Sequence, residues 1–224
     1  MSGKRAWILG SLAAILMLAG PSAWAVDEPV VGHISFGASL PQGDTADFLE
    51  DGWAIHGGAT WFSPSRPAFG LRLDFGIDWY DIKGEILDQI DTEPEIDGIQ
   101  RPDNGYARAW SGTVDVVWNP RSEGTFGFYL LAGAGIYYTK AELSEYGYGT
   151  GYWCDPWWGV CYPGIYEGEY LIDSASNWEW GLNAGAGMTF KVGVESELYL
   201  EAVYHWIDTE NGSTIVPVSF GVRW

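Results

Sequence analysis

From Phe69 to Tyr80 the chain reads FGLRLDFGIDWY. Phe69, Leu71, Leu73, Phe75, Ile77 and Trp79 alternate without a break with Gly70, Arg72, Asp74, Gly76, Asp78 and Tyr80. Successive side chains of a strand point to opposite faces, so this stretch has one face of large apolar groups and one carrying three charges. An ordinary half-buried strand is ~5–6 residues long. A tilted strand that crosses the hydrocarbon of a bilayer needs ~9–11. This one has the length and the two-faced pattern of the second kind.

The pattern recurs seven more times. The predicted strands are 30–40, 53–62, 69–80, 106–118, 126–140, 177–190, 197–208 and 213–224. The sixth sets Trp178, Trp180, Leu182, Ala184, Ala186, Met188 and Phe190 against Asn177, Glu179, Gly181, Asn183, Gly185, Gly187 and Thr189. The fifth turns Phe128, Leu130, Ala132, Ala134, Ile136 and Tyr138 outward, with Tyr129, Gly133, Gly135, Tyr137 and Thr139 inward, the glycines making room for larger neighbours. The last sets Val216, Val218, Phe220, Val222 and Trp224 against Pro217, Ser219, Gly221 and Arg223.

Connections after the second, fourth and sixth strands are short; those after the first, third and fifth are longer. Asn211-Gly212 marks a tight hairpin before the last strand. Trp61, Trp79, Trp110, Trp118, Trp178, Trp206 and Trp224 fall at strand ends on the apolar faces, as in two interfacial girdles. A soluble barrel would be polar outside and apolar inside; here the order is inverted. The fold class expected is all-β: an eight-stranded antiparallel up-and-down transmembrane barrel with short periplasmic turns and longer extracellular loops. Its eighth strand must pair with its first, because an open sheet edge has no partner in lipid. Eight strands leave an interior only wide enough for side chains.

Residues 1–25 read as a secretory signal: Lys4 and Arg5, an apolar run from Ala6 to Ala19, and the cleavage pattern Ala23-Trp24-Ala25. The barrel domain is then 26–224. Cleavage takes the formal net charge from −19 to −21, because Lys4 and Arg5 leave and no acid does. So acidic a chain repels phosphate backbones and is not expected to bind nucleic acid. In an exported chain the two cysteines, Cys154 and Cys161, are expected to form one disulfide closing a small loop. Their spacing, with no histidine nearby, does not suit zinc. No catalytic, cofactor or metal site is expected.

The closing hairpin, LYLEAVYHWIDT followed by IVPVSFGVRW, resembles that of the small eight-stranded outer-membrane β-barrel family, which includes OmpA-, OmpX- and opacity-type barrels. The resemblance covers almost the whole mature chain. It implies residence in the bacterial outer membrane, contact with its lipid and lipopolysaccharide, and assembly by the barrel-insertion machinery. Phe220, Val222 and Trp224 match the assembly signal of that family. A monomer is expected. The family's fold implies little about activity, and the extracellular ligand is unknown.

Three groups of residues are candidates for a role. Arg72, Asp74, Asp78, Asp115, Glu179, Glu201, His205 and Arg223 face inward and are expected to form a lumen polar network, with His33 and His56 hydrogen-bonded among them. Glu201 and His205 share a face and could pair. Membrane lipid A deacylases, also small barrels, carry a His with a Ser two residues on; here the run is His205-Trp206-Ile207, so the serine is missing and an enzyme is not expected. A narrow OmpW-like channel for small apolar solutes is the transport alternative. The third group lies in the connection 141–175, rich in Tyr, Trp and Gly, where Trp153, Trp157, Trp158 and Tyr162 are expected to present a surface-binding knob pinned by the disulfide, the alternative being a self-packed cap on the barrel. The acidic connection 83–104 reads as a solvated charge run, the alternative being recruitment of divalent cations that bridge surface lipopolysaccharide.

Overall fold

A computed structural model of the chain describes residues 30–63, 65–89, 104–120, 125–154, 161–192 and 196–224, with the backbone alone described at 67, 88–89, 145–154 and 162–170. The expected signal segment 1–25 and the acidic run 90–103 lie outside the described residues. Eight strands follow in order: β1 (Val30–Gln42), β2 (Gly52–Ser63), β3 (Arg66–Asp81), β4 (Asn104–Trp118), β5 (Phe126–Cys154), β6 (Cys161–Lys191), β7 (Glu197–Ile207) and β8 (Ser213–Arg223). Each pairs antiparallel with its neighbours in sequence, and β8 pairs with β1, so the sheet closes.

The register fixes the barrel's dimensions. Starting at Val31, the pairing passes through Thr60, Arg72, Asp115, Gly133, Asn183, His205 and Ile215 and returns to β1 at Pro41. The path comes back ten residues along the strand from where it began. With strands ~4.8 Å apart and a rise of ~3.3 Å per residue, that stagger tilts the strands by roughly 40° and gives a radius of roughly 8 Å. Such a barrel is filled by its own side chains.

The faces are inverted relative to a water-soluble barrel. On β3, Phe75 is 60% exposed and Leu71 50%, whereas Arg72 is 5%, Asp74 5% and Asp78 1% exposed. The other strands repeat the alternation, with most large apolar side chains outward, although Val117, Leu131, Ile207 and Ile215 are buried inside. Aromatic pairs cluster near both ends of the outer wall. Trp53 stacks on Trp79 at 3.8 Å, and Trp110, Tyr138 and Trp178 form a ladder at the long-loop end. Trp118 with Phe128, and Phe126 with Phe190, do the same at the short-turn end.

Two elements depart from the expected outline. The described part of the connection 141–175 is not a loop. β5 and β6 stay paired all the way to Cys154 and Cys161, with one register shift at Leu143/Ser144 that leaves Ile172 without a partner in the ladder. Tyr, Trp and Thr favour extended backbone, and here that preference prevails over the many glycines. The ribbon extends roughly 45–50 Å past Lys140 at ~3.3 Å per residue. Between β1 and β2, a single turn, α1 (Thr45–Phe48), folds over the barrel mouth. It is tied down by Thr214 N–H to Thr45 Oγ1 at 2.9 Å, by Lys83 N–H to the Phe48 carbonyl at 2.9 Å, and by Lys83 Nζ to the Ala46 carbonyl. A second short helix, α2 (Gly84–Gln89), follows β3.

Candidate functional site: lumen, ribbon and mouth

The lumen is built around Arg72. Its Nη1 donates to Glu201 Oε2 at 2.5 Å and its Nη2 to Glu201 Oε1 at 3.1 Å, a bidentate pairing across the barrel. Its Nε and Nη2 also donate to Asp74 Oδ2, at 3.0 and 2.5 Å. Two carboxylates thus share one guanidinium, whose planar fork suits them. Asp74 further accepts from His33 Nε2 at 2.5 Å and has His56 Nδ1 at 3.4 Å. Glu201 accepts from the Tyr129 hydroxyl at 2.6 Å.

The other predicted network residues sit around this centre. Asp115 accepts from Asn183 Nδ2 at 2.8 Å and from Thr113 Oγ1 at 3.1 Å, both neutral donors. Asp78 lies 3.7 Å from His56. The Arg223 guanidinium is over the Tyr129 ring, 4.6 Å from its centre, and near Tyr199. His205 takes Tyr137 as its partner, Nδ1 to hydroxyl at 2.8 Å. The suggested Glu201–His205 pairing is therefore absent: Arg72 and Tyr129 hold the glutamate. All three histidines of the chain, His33, His56 and His205, are buried here.

Glu179 is the exception among the predicted network residues. It is half-buried, accepts from Asn177 Nδ2 and lines the mouth. It sits where β6 leaves the closed barrel for the ribbon, so its inward direction no longer means enclosure. The sequence reading also missed two apolar clusters inside. Val117, Tyr129, Leu131, Tyr199 and Val203 pack together toward the short-turn end. Tyr80, Tyr137, Ile207 and Ile215 pack toward the long-loop end, with Leu49 and Ala107 against them. The charged network is held between them.

Inward glycines make the large inward side chains fit. A Cβ at Gly187 would overlap the Tyr129 ring, and one at Gly76 would meet the His56 ring at 2.6 Å. Several buried polar atoms have no protein partner among the described residues, including His56 Nε2, Asp78 Oδ1, Asn183 Oδ1 and His205 Nε2. Among the described residues no group of three or more His, Cys, Asp or Glu is arranged to hold a metal ion.

On the ribbon, Trp153 and Tyr162 are cross-strand partners, as are Cys154 and Cys161 at its end. Trp157 and Trp158 lie outside the described residues. At the barrel's seam, Trp224 and Gly32 exchange two backbone hydrogen bonds, of 2.9 and 3.0 Å, and the Trp224 indole lies against Gly32. Phe220 and Val222 face outward beside it, with Phe220 55% exposed.

Among the described residues, the mouth at the long-loop end is an open bowl of about 720 Å³. Tyr80, Ile207, Ile215 and Leu49 form its floor, and α1, the first residues of the ribbon and the turn after β7 form its walls.

A closed, up-and-down, eight-stranded antiparallel barrel is the architecture of the small outer-membrane β-barrels, and solved structures of that class are what this chain is similar to. The crystal structure of Neisserial surface protein A matches it with a TM-score of 0.51 at 12% identity, over 87% of this chain and 96% of that one. Ail, the attachment invasion locus protein of Yersinia pestis, in complex with the heparin analogue sucrose octasulfate, gives 0.48 at 16% identity, over 88% and 99%. A major outer membrane protein from Thermus thermophilus gives 0.45 at 12% identity, over 87% and 98%. At these identities the likeness is one of fold. No family model matches the chain, and no curated protein matches it by sequence.

Proposed function

We propose that this chain is an exported, monomeric, integral outer-membrane β-barrel that acts without catalysis, as a surface-interaction protein. The observation that carries the membrane assignment is the inversion of faces: large apolar side chains such as Phe75 are exposed, while Arg72, Asp74, Asp78 and Glu201 are enclosed. An apolar outer wall tens of ångströms around is stable only against lipid. Insertion by the barrel-assembly machinery, with Phe220, Val222 and Trp224 as its signal, belongs to the same reading. Lipid and lipopolysaccharide are then the first partners.

The interaction role rests on the ribbon. A barrel hairpin needs only a few residues to turn, whereas β5 and β6 run on together for more than ten residues each. An isolated two-stranded ribbon is marginal in water. A Cys154–Cys161 disulfide would pin its far end. That bond is supported by the two residues facing each other across the ladder and by the lack of a free cysteine among the described residues. Trp153, Trp157, Trp158 and Tyr162 cluster around it in sequence and would supply rigid contact area. Neisserial surface protein A, similar in fold, is itself named as a surface protein.

The test compares cells carrying wild type, Trp157→Ala/Trp158→Ala or Cys154→Ser/Cys161→Ser for binding to a panel of host matrix proteins and glycans. Both variants are expected to lose binding while their barrels fold normally. Undiminished binding by both would remove the ribbon from the function.

A further inference from the structure

We propose that the bowl at the long-loop end is a binding site for a small solute with an apolar body and a positive charge, and that it is blind. The volume, about 720 Å³, lies within the ~300–1,000 Å³ typical of small-molecule pockets. The floor is apolar and sealed. Tyr80, Tyr137, Ile207 and Ile215 are each less than 5% exposed and pack on one another above the Arg72–Glu201 network. The Tyr80 hydroxyl is bonded to Ser39 Oγ at 2.5 Å, so this polar atom of the floor already has a partner. A solute resting there gains apolar contact and has no path onward.

Charge selects the sign. The bowl is bordered by Asp44, Glu179 and Glu210 and by Arg108 and Lys140. The two cations are directed elsewhere. They are cross-strand partners on the outward face that also carries Trp110 and Tyr138. Both are engaged by Glu142, with Lys140 Nζ to Oε1 at 2.7 Å and Arg108 Nη1 to Oε2 at 3.6 Å. Among the described residues the carboxylates are not matched in this way. Glu179 accepts from the neutral Asn177 amide, and Asp44 makes no side-chain bond to cap α1. In a chain of formal net charge −19, the long-range field favours the same sign. The site is separate from the ribbon, and it does not require that the ribbon bind anything.

Three related probes separate the contributions: tryptamine, indole and indole-3-acetate, a cation, a neutral molecule and an anion with one ring system. Saturation-transfer NMR and calorimetry would follow their binding to the folded full barrel in lipid nanodiscs. Tryptamine is expected to bind saturably, about fivefold more tightly than indole and about 25-fold more tightly than indole-3-acetate, the effect of one carboxylate ~4 Å away in a water-like medium. Glu179→Gln should reduce that preference and leave indole unchanged. Thr139→Trp, which fills the bowl, should abolish all binding. Asn177→Trp serves the same purpose if the first variant does not fold. No saturable binding of any probe, equal binding of cation and anion, or binding that survives a filled bowl would each overturn the proposal.

Discussion

Arg72 is the residue on which the lumen depends. It is 5% exposed and lies between two carboxylates, at 2.5 Å from each. Removing one member of a buried ionic group leaves the others unpaired and costs ~3–5 kcal/mol, whereas replacing the whole group costs far less. Arg72→Met is expected to lower the unfolding free energy in lipid vesicles by about that amount, read from urea titrations. Adding Asp74→Asn and Glu201→Gln should restore most of it. Asp115→Asn should be mild, at ~1–2 kcal/mol, because its partners Asn183 and Thr113 are neutral donors. Gly187→Val makes a different point: its side chain would enter the space of the Tyr129 ring, and overpacking of that kind costs ~1–3 kcal/mol. Paired with Tyr129→Ala, the same substitution should be tolerated better, as a double-mutant cycle would show.

At the scale of elements, the alternation made the strands and their facing legible, because a period of two has one reading when apolar and polar residues alternate strictly. β3 and β6 are such cases. It was silent where both faces are apolar. Leu130 and Leu131 look alike in the sequence, yet one is 46% exposed and the other 4%. Val117, Val203, Ile207 and Ile215 were missed for the same reason, and with them the two clusters that bracket the charges. The ribbon escaped notice because its period of two, Tyr146, Tyr148, Thr150 and Tyr152 against Gly147, Gly149 and Gly151, sets aromatic against glycine and not apolar against polar residues, and α1 because a four-residue helix gives no periodic signal. Glu179 was placed on the correct face, but sequence does not reveal where a strand leaves the closed barrel. The seam between β1 and β8 makes its own prediction. Deleting Trp224 removes both hydrogen bonds to Gly32 and the indole packed on it. The deletion should lower the amount of heat-modifiable, folded barrel in the outer membrane while export continues. The ribbon should behave independently of that seam. Cys154→Ser/Cys161→Ser is expected to shift barrel melting by no more than a few degrees, since a bridge between them would close a short ring and act on local shape. A variant that failed to assemble would instead make the ribbon a structural cap.

For the whole molecule, the stagger of ten residues over eight strands, the filled lumen and the two apolar clusters describe a plugged barrel. The reconstituted protein should therefore show no large, steady conductance in planar bilayers; a stable open level would mean that the clusters part. The proposed roles of ribbon and bowl both require that the barrel span the outer membrane with its long-loop end outside. Surface labelling of epitope insertions on intact cells tests this directly. An epitope within 141–175 should be reached by antibody on intact cells, and one at Ser65, in the short turn between β2 and β3, only after the outer membrane is permeabilised. Labelling of the Ser65 epitope on intact cells, with the ribbon epitope silent, would contradict the orientation; labelling of neither, with the protein recovered in the soluble fraction, would contradict the membrane barrel itself.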